Sequence, residues 1–286
     1  MRAAARGHAR LIDAAGMLLS ATGLTALASK AVAKRGRFAL LLHGISSHKL
    51  ENVDREAQPH LTAEDLAQVL DWLRCRFAFL TPQEFLAGKK AGVLLTFDDG
   101  FANNFRRALP VLRSFEVPAV FFVTTQHVAV PRDWLGFVRQ QAEQAWGSVD
   151  AVPEEIAADW YDGMNLEELR ECATEPLITI GSHGVTHSVL TECDDEQLTR
   201  ELRESKAFLE EMTGTAVQYF AYPRGAYDER VVSRTEAAGY SAAFVIDPKG
   251  LGSGHLELPR VGIYQADSAY LSLKLSGLHR RPLPTE

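Results

Sequence analysis

Cysteine is scarce. The chain has three in 286 residues, Cys75, Cys172 and Cys193, far apart and odd in number. They contain no Cys-x-x-Cys pair and set out no disulfide framework, which fits a reducing compartment. Positive charge is also short: the formal net charge is −7, so the basic footprint of a nucleic-acid binder is missing and no nucleic-acid partner is expected. Long apolar runs are lacking too. The early stretch Met17–Ala28 is too short, and too diluted by threonine and glycine, to span a bilayer. No internal repeat or low-complexity tract interrupts the chain. What remains, 46% hydrophobic and 23% charged, is the composition of a soluble globular protein long enough for one large α/β domain or two smaller ones.

The first 36 residues stand apart. Arg2, Arg6 and Arg10 precede the apolar stretch, and Ala26-Leu27-Ala28 has the small-residue form of a cleavage site. Against a signal peptide, Asp13 sits at the start of the apolar region. The preferred expectation is an amphipathic N-terminal helix touching a membrane surface through residues 1–35, in a cytoplasmic, membrane-associated protein. Export through an N-terminal signal is the alternative.

From residue 37 the pattern alternates. Phe38–Leu42, Val93–Phe97, Ala119–Val123, Leu177–Ile180, Val217–Tyr222 and Gly239–Ile246 read as strands, mostly apolar and without polar alternation. Between them lie helix signals: the capping box Thr62-Ala63-Glu64-Asp65, the start Thr81-Pro82-Gln83-Glu84, the stripe Phe105, Ala108, Leu109, Leu112, Phe115, and Leu198, Leu202, Leu209, Met212 ending at Gly214. Continuous apolar strands alternating with helices predict a parallel sheet covered by helices. Residues 127–176 break this rhythm. They are acidic, carry Trp134, Trp146 and Trp160, and read as an insertion with its own helices. Its tryptophans are expected in local packing, one of them a lesser candidate for a groove wall. Residues 266–286 read as a tail.

Two strand ends carry unexpected polarity. Val93–Phe97 runs into Asp98-Asp99-Gly100, where a turn is the ordinary explanation. Leu177–Ile180 runs into Gly181 and then His183 and His187, four apart, which can face one metal if the loop enters a helical turn. In parallel α/β folds functional groups collect at the carboxyl ends of strands. Two imidazoles, one carboxylate ligand and one spare carboxylate make a catalytic metal site with a base beside it. A third strand end, Tyr219–Tyr222 into Pro223-Arg224-Gly225, favours a sharp turn whose N–H groups can hold an oxyanion.

Thr96-Phe97-Asp98-Asp99-Gly100 and Ser182-His183-Gly184-Val185-Thr186-His187 resemble the first two motifs of the polysaccharide deacetylase (NodB-homology, carbohydrate esterase family four) family. Phe220-Ala221-Tyr222-Pro223-Arg224-Gly225 resembles a divergent third, and the similarity covers roughly residues 37–265. The resemblance implies a distorted (β/α) barrel, with Asp98 as general base and Asp99, His183 and His187 holding a divalent metal. Zinc suits these ligands, and cobalt, nickel or iron fit the same set. It also implies that the backbone N–H of Arg224 contributes to an oxyanion hole.

The chain departs from the family pattern in two places. Ala221 stands where the third motif has an arginine that orients the base, leaving Arg224 or Arg260 to replace it. The late histidine motif supplying the acid is absent, and His43, at the end of Phe38–Leu42, is the chosen substitute, ahead of His255 and His279. His48, His60 and His127 are expected on surface loops. The implied activity is metal-dependent N-deacetylation of an amino sugar in a polysaccharide or lipid-linked glycan. Hydrolysis of another small amide, imide or sugar formamide is one alternative, and an inactive glycan-binding member is another.

Overall fold

The computed structural model describes residues 32–34, 36–51, 53, 60–130, 132–249, 254–277 and 281–285. The expected N-terminal helix and His279 lie outside these. In chain order the strands are β1 (Gly36–Leu42), β2 (Ile45–Ser46), β3 (Leu61–Thr62), β4 (Gly92–Phe97), β5 (Ala119–Val123), β6 (Ile178–Ser182), β7 (Tyr219–Ala221), β8 (Ala242–Val245), β9 (Leu258–Gly262) and β10 (Leu283–Pro284). Seven of them, β1, β4, β5, β6, β7, β8 and β9, pair in parallel, and β9 pairs back onto β1, closing a barrel. The expected (β/α) barrel is the fold observed. Every residue of β4 and of β5 is buried, because one face looks into the barrel and the other under helices.

The period-two alternation of strands sorts side chains between those layers. Ala39, Leu94, Val120, Phe122, Tyr219, Ala221, Ala242, Phe244 and Leu258 form the inner cluster. Phe38, Leu40, Val93, Leu95, Phe97 and Phe121 join the outer one, with Leu66, Leu70, Leu109, Leu112, Leu198 and Leu202 from the helices. Local signals fix the helix ends. Thr62 and Thr81 each make a complete capping box, and Gly214 ends Ser205–Thr213 in the left-handed conformation.

The sequence expectations fall short in three places. β9 was not expected because Pro259 argues against a strand interior, yet β9 closes the ring. The stretch 266–286 is more than a tail: it holds the helix Ser268–Lys274 and β10, antiparallel on β1. Within 127–176, Leu166–Thr174 is the helix leading into β6, and the extra material centres on the helix Gly136–Trp146. That material packs its own core of Phe101, Trp134, Leu135, Val138, Trp160 and Tyr161. No helix among the described residues is long and apolar enough to cross a membrane.

Candidate active site

Strand parity delivers the first carboxylate. Leu94 and Thr96 point into the barrel, so Asp98, two residues on, continues the inward row at the carboxyl end of β4. Arg260, inward on β9 two residues after Leu258, meets it there. The guanidinium holds Asp98 in a fork, Nη1 donating to Oδ1 at 2.6 Å and Nη2 to Oδ2 at 2.8 Å. Nη1 also donates to Thr96 Oγ1 at 3.1 Å. Thr96 Oγ1 in turn donates to the Leu40 carbonyl at 2.7 Å. Arg260 is only 2% exposed. It fits inside because its neighbour on β1 is Ala39 and because Ala221 and Ala242 keep the interior open. Of the two arginines considered for orienting the base, the structure brings Arg260 to Asp98. The Arg224 side chain is exposed at the pocket wall.

Asp99, His183 and His187 offer ligand atoms that all lie within 4.8 Å of one another. His183 Nε2 is 3.6 Å and His187 Nε2 3.4 Å from Asp99 Oδ1. His183 Nδ1–H donates to the Ala221 carbonyl at 2.8 Å, which leaves Nε2 as the lone-pair nitrogen facing Asp99. Both carboxylate oxygens of Asp99 are buried with no hydrogen-bond partner among the described residues, a costly state for an acceptor unless a cation takes the place of the missing donors. Three converging N and O donors plus an orphaned carboxylate fit a divalent metal with an open coordination position.

The backbone bends to make this set. Asp99, His187 and Arg224 have φ of 77°, 62° and 57°, three of the four positive values at non-glycine residues among the described residues. Such conformations cost energy and cluster at functional sites. The two histidines converge without the helical turn that their spacing suggested: residues 183–189 form a loop. Glu201, buried on the π turn Arg200–Glu204, organises it. Its Oε2 accepts the N–H groups of Val185 at 2.6 Å and Thr186 at 3.0 Å, and its Oε1 accepts the Thr186 hydroxyl. Gly184 has φ +84°, and a Cβ there would lie 2.7 Å from Glu201 Oε2, so only glycine fits.

The two adjacent aspartates are driven apart in acidity. Burial pushes Asp98 up, but the Arg260 charge, followed by that of His183, outweighs it and holds Asp98 below the usual range. Burial and then the Asp98 charge push Asp99 well above it. Asp98 is therefore the carboxylate kept ionised without a metal, and Asp99 the one that needs a cation.

The remaining expected residues divide. His43, at the end of β1, lines the same pocket. Its Nδ1 is enclosed without a partner among the described residues, and burial brings its pKa down to about 4. His48 is exposed as expected, but His60 and His127 are not surface residues. His60 is buried, stacked on Trp160 at 4.9 Å and edge-on to Phe101. His127 is fully buried on the helix Thr125–Ala129, with Nε2–H donating to the Tyr161 carbonyl at 3.0 Å. His255 is exposed on the turn Gly254–Glu257 and does not line the pocket. Neither do the three tryptophans of the inserted segment.

These groups line a cavity of about 420 Å³ at the carboxyl ends of the strands. Sequence reasoning missed part of its wall: Phe137, Gln140, Gln141 and Gln144, all from the helix Gly136–Trp146. Their sequence signal is only that of an amphipathic helix. Glu201 likewise gives no signal, being one of several acidic residues on its helix.

The profile of the polysaccharide deacetylase family matches residues 87–243, more than half of the chain. The chain belongs to the polysaccharide deacetylase family. It is 24% identical over 221 residues to the poly-β-1,6-N-acetyl-D-glucosamine N-deacetylase of Staphylococcus aureus, covering 74% of this chain and 70% of that one. The protein YxkH of Bacillus subtilis, assigned to the polysaccharide deacetylases, is 25% identical over 218 residues, which cover 73% of this chain and 64% of its length. Among solved structures, IcaB from Ammonifex degensii superposes with a TM-score of 0.61 at 23% identity, covering 85% of this chain and 97% of that one. The Streptococcus pyogenes deacetylase PplD in complex with acetate gives 0.61 at 18%, covering 83% and 98%. At these identities the similarity shows the shared fold.

Proposed function

We propose that this deacetylase hydrolyses the N-acetyl group of an amino sugar within a glycan, using a divalent metal held by Asp99, His183 and His187. One observation carries the proposal: a base held ionised by a buried arginine fork stands beside an orphaned Asp-His-His set in one cavity. A metal there supplies Lewis-acid polarisation and neutralises negative charge as it develops. Asp98 takes the proton of the attacking water, with its carboxylate fixed in orientation by Arg260. Water's oxygen bonds to the acetyl carbon, the C–N bond breaks, and the amine leaves with a proton, giving acetate and a free amino sugar.

The turn Tyr222–Gly225 supports an oxyanion donor. Gly225 and Ala226 spend their N–H groups on the carbonyls of Tyr222 and Pro223, and the Arg224 N–H lies outside those two bonds. Burial keeps His43 neutral, and its unpartnered Nδ1 is the nitrogen assigned to the leaving amine. It delivers the proton gained by Asp98 rather than one of its own. The names of the relatives support an acetylated glycan as substrate.

The test is acetate release from β-1,6-linked N-acetylglucosamine oligomers by wild type and Asp98→Asn, with bound metal measured on both. Release by wild type, a loss on the order of a thousandfold in the variant, and equal metal content support the proposal. Metal without release points to another amide, and no metal after reconstitution to a glycan-binding role. Membrane contact through residues 1–35 is a separate proposal, and unchanged membrane partitioning after their deletion would sink it.

A further inference from the structure

His43 is mounted where the barrel's support ends. The parallel ladder between β1 and β4 stops at Leu42 and Phe97, and its last bond runs from the Asp98 N–H to the Leu42 carbonyl at 3.0 Å. β2, two residues beyond His43, pairs with β3 in a separate two-stranded sheet. No hydrogen bond reaches His43 Nδ1 among the described residues, so its aim depends on the backbone that carries the ring. A displacement of about 1 Å in a reacting group costs on the order of a hundredfold in rate.

The inserted segment supplies support on the far side of His43 through one residue. Asp159, on the π turn Ala157–Tyr161, is 8% exposed. Its Oδ2 accepts the Ser47 N–H at 2.8 Å and the Ser47 hydroxyl at 2.7 Å. Its backbone carbonyl accepts Asn103 Nδ2–H at 2.9 Å, and Asn103 Oδ1 accepts the Ile45 N–H at 2.9 Å. The Arg107 guanidinium donates to the other carboxylate oxygen and fixes its direction. Between these two arms the His60 ring, stacked on Trp160, leaves no room for a Cβ at Gly44. Ser47 is exposed, and water could satisfy its polar groups. Burying a carboxylate to hold it is costly in desolvation, which points to a geometric requirement on residues 44–47.

We infer that Asp159 is a positioning residue for His43, acting through Ser47 by its carboxylate and through Asn103 and Ile45 by its carbonyl. This rests on the reading of His43 as the group that delivers a proton to the leaving amine. It gives the inserted segment a task in the chemical step. Asp159 does not line the cavity, so its loss lowers kcat and leaves KM unchanged. The loss is confined to substrates whose leaving group needs a proton.

The test is a double-mutant cycle of wild type, Asp159→Asn, His43→Ala and the pair. Each is assayed on N-acetylglucosamine oligomers and on 4-nitrophenyl acetate, whose phenolate leaves without a proton. Asparagine keeps the shape of Asp159, but its single oxygen cannot serve both Ser47 and Arg107. For Asp159→Asn the expected kcat on the oligomers is down about tenfold to a hundredfold, with KM, bound metal and ester hydrolysis unchanged. In the His43→Ala background the same substitution should cost nothing further. Ser47→Ala, an exposed change that leaves Arg107 paired, should give a smaller loss with the same selectivity between amide and ester. Equal losses on both substrates, a loss that persists without His43, or an unchanged kcat in Asp159→Asn overturns the positioning role and leaves deacetylation standing. Undiminished oligomer cleavage by His43→Ala overturns the reading of His43 and this role with it. No acetate from the oligomers with wild type overturns deacetylation of these oligomers and the role together.

Discussion

Arg260 decides how Asp98 behaves. A carboxylate buried beside a second carboxylate would be protonated near neutrality, and the two-pronged guanidinium prevents this. Arg260→Met keeps much of the volume and removes the charge, so the Asp98 pKa must rise. Activity is lost below that pKa, because only the ionised form accepts a proton. The acidic limb of the pH–rate profile should therefore move upward, with kcat at neutral pH down on the order of tenfold to a hundredfold. An unmoved limb would show that the fork does not set the base. Asp99→Asn tests the other carboxylate. It keeps the shape but removes the charge that the cation requires, so bound metal measured after dialysis against a weak chelator should fall to near zero, with the barrel still folded by circular dichroism.

Among the elements, the loop after β6 is the part most dependent on a distant group. Glu201 reaches it from another helix and fixes two of its amides and one hydroxyl. Glu201→Gln presents a donor where the loop also presents donors, so the His183–His187 pair should lose its geometry. Metal affinity should drop about tenfold or more, read by chelator competition. Much at this scale was legible in the sequence. Asp98-Asp99 and His183/His187 sit at ends of apolar runs, and β4 to β8 follow from continuous hydrophobicity. β9 was not, because Pro259 disguises it. Nor could residue order alone choose between Arg224 and Arg260, since what chooses is the parity of β9 and the small Ala39 beside it. Gln141 was invisible for a different reason: a glutamine on an amphipathic helix reads as solvent-facing until the cavity it borders is known.

For the molecule as a whole, the buried histidines that hold no catalytic role make stability sensitive to acid. Burial, followed by the nearby His43 charge, lowers the His60 pKa from 6.5 to about 3, and burial lowers that of His127. Above 6.5 both folded and unfolded chains keep His60 neutral. Below it the unfolded chain binds a proton that the folded chain refuses until about pH 3, so stability falls across that interval. The loss from His60 alone is on the order of 2 kcal/mol by pH 5. Urea unfolding at pH 7.5 and pH 5, with chelator present at both, should show it, and His60→Gln should flatten the difference.

The closing strand has a consequence for the order in which the protein becomes an enzyme. Asp98, Asp99, His183 and His187 are all synthesised by residue 187, before the closing strand exists. Arg260 comes later, on the strand that seals the ring between β8 and β1. Asp98 is thus gripped by its arginine only after β9 has joined the ring, while the helix Ser268–Lys274 and β10 are still to be added.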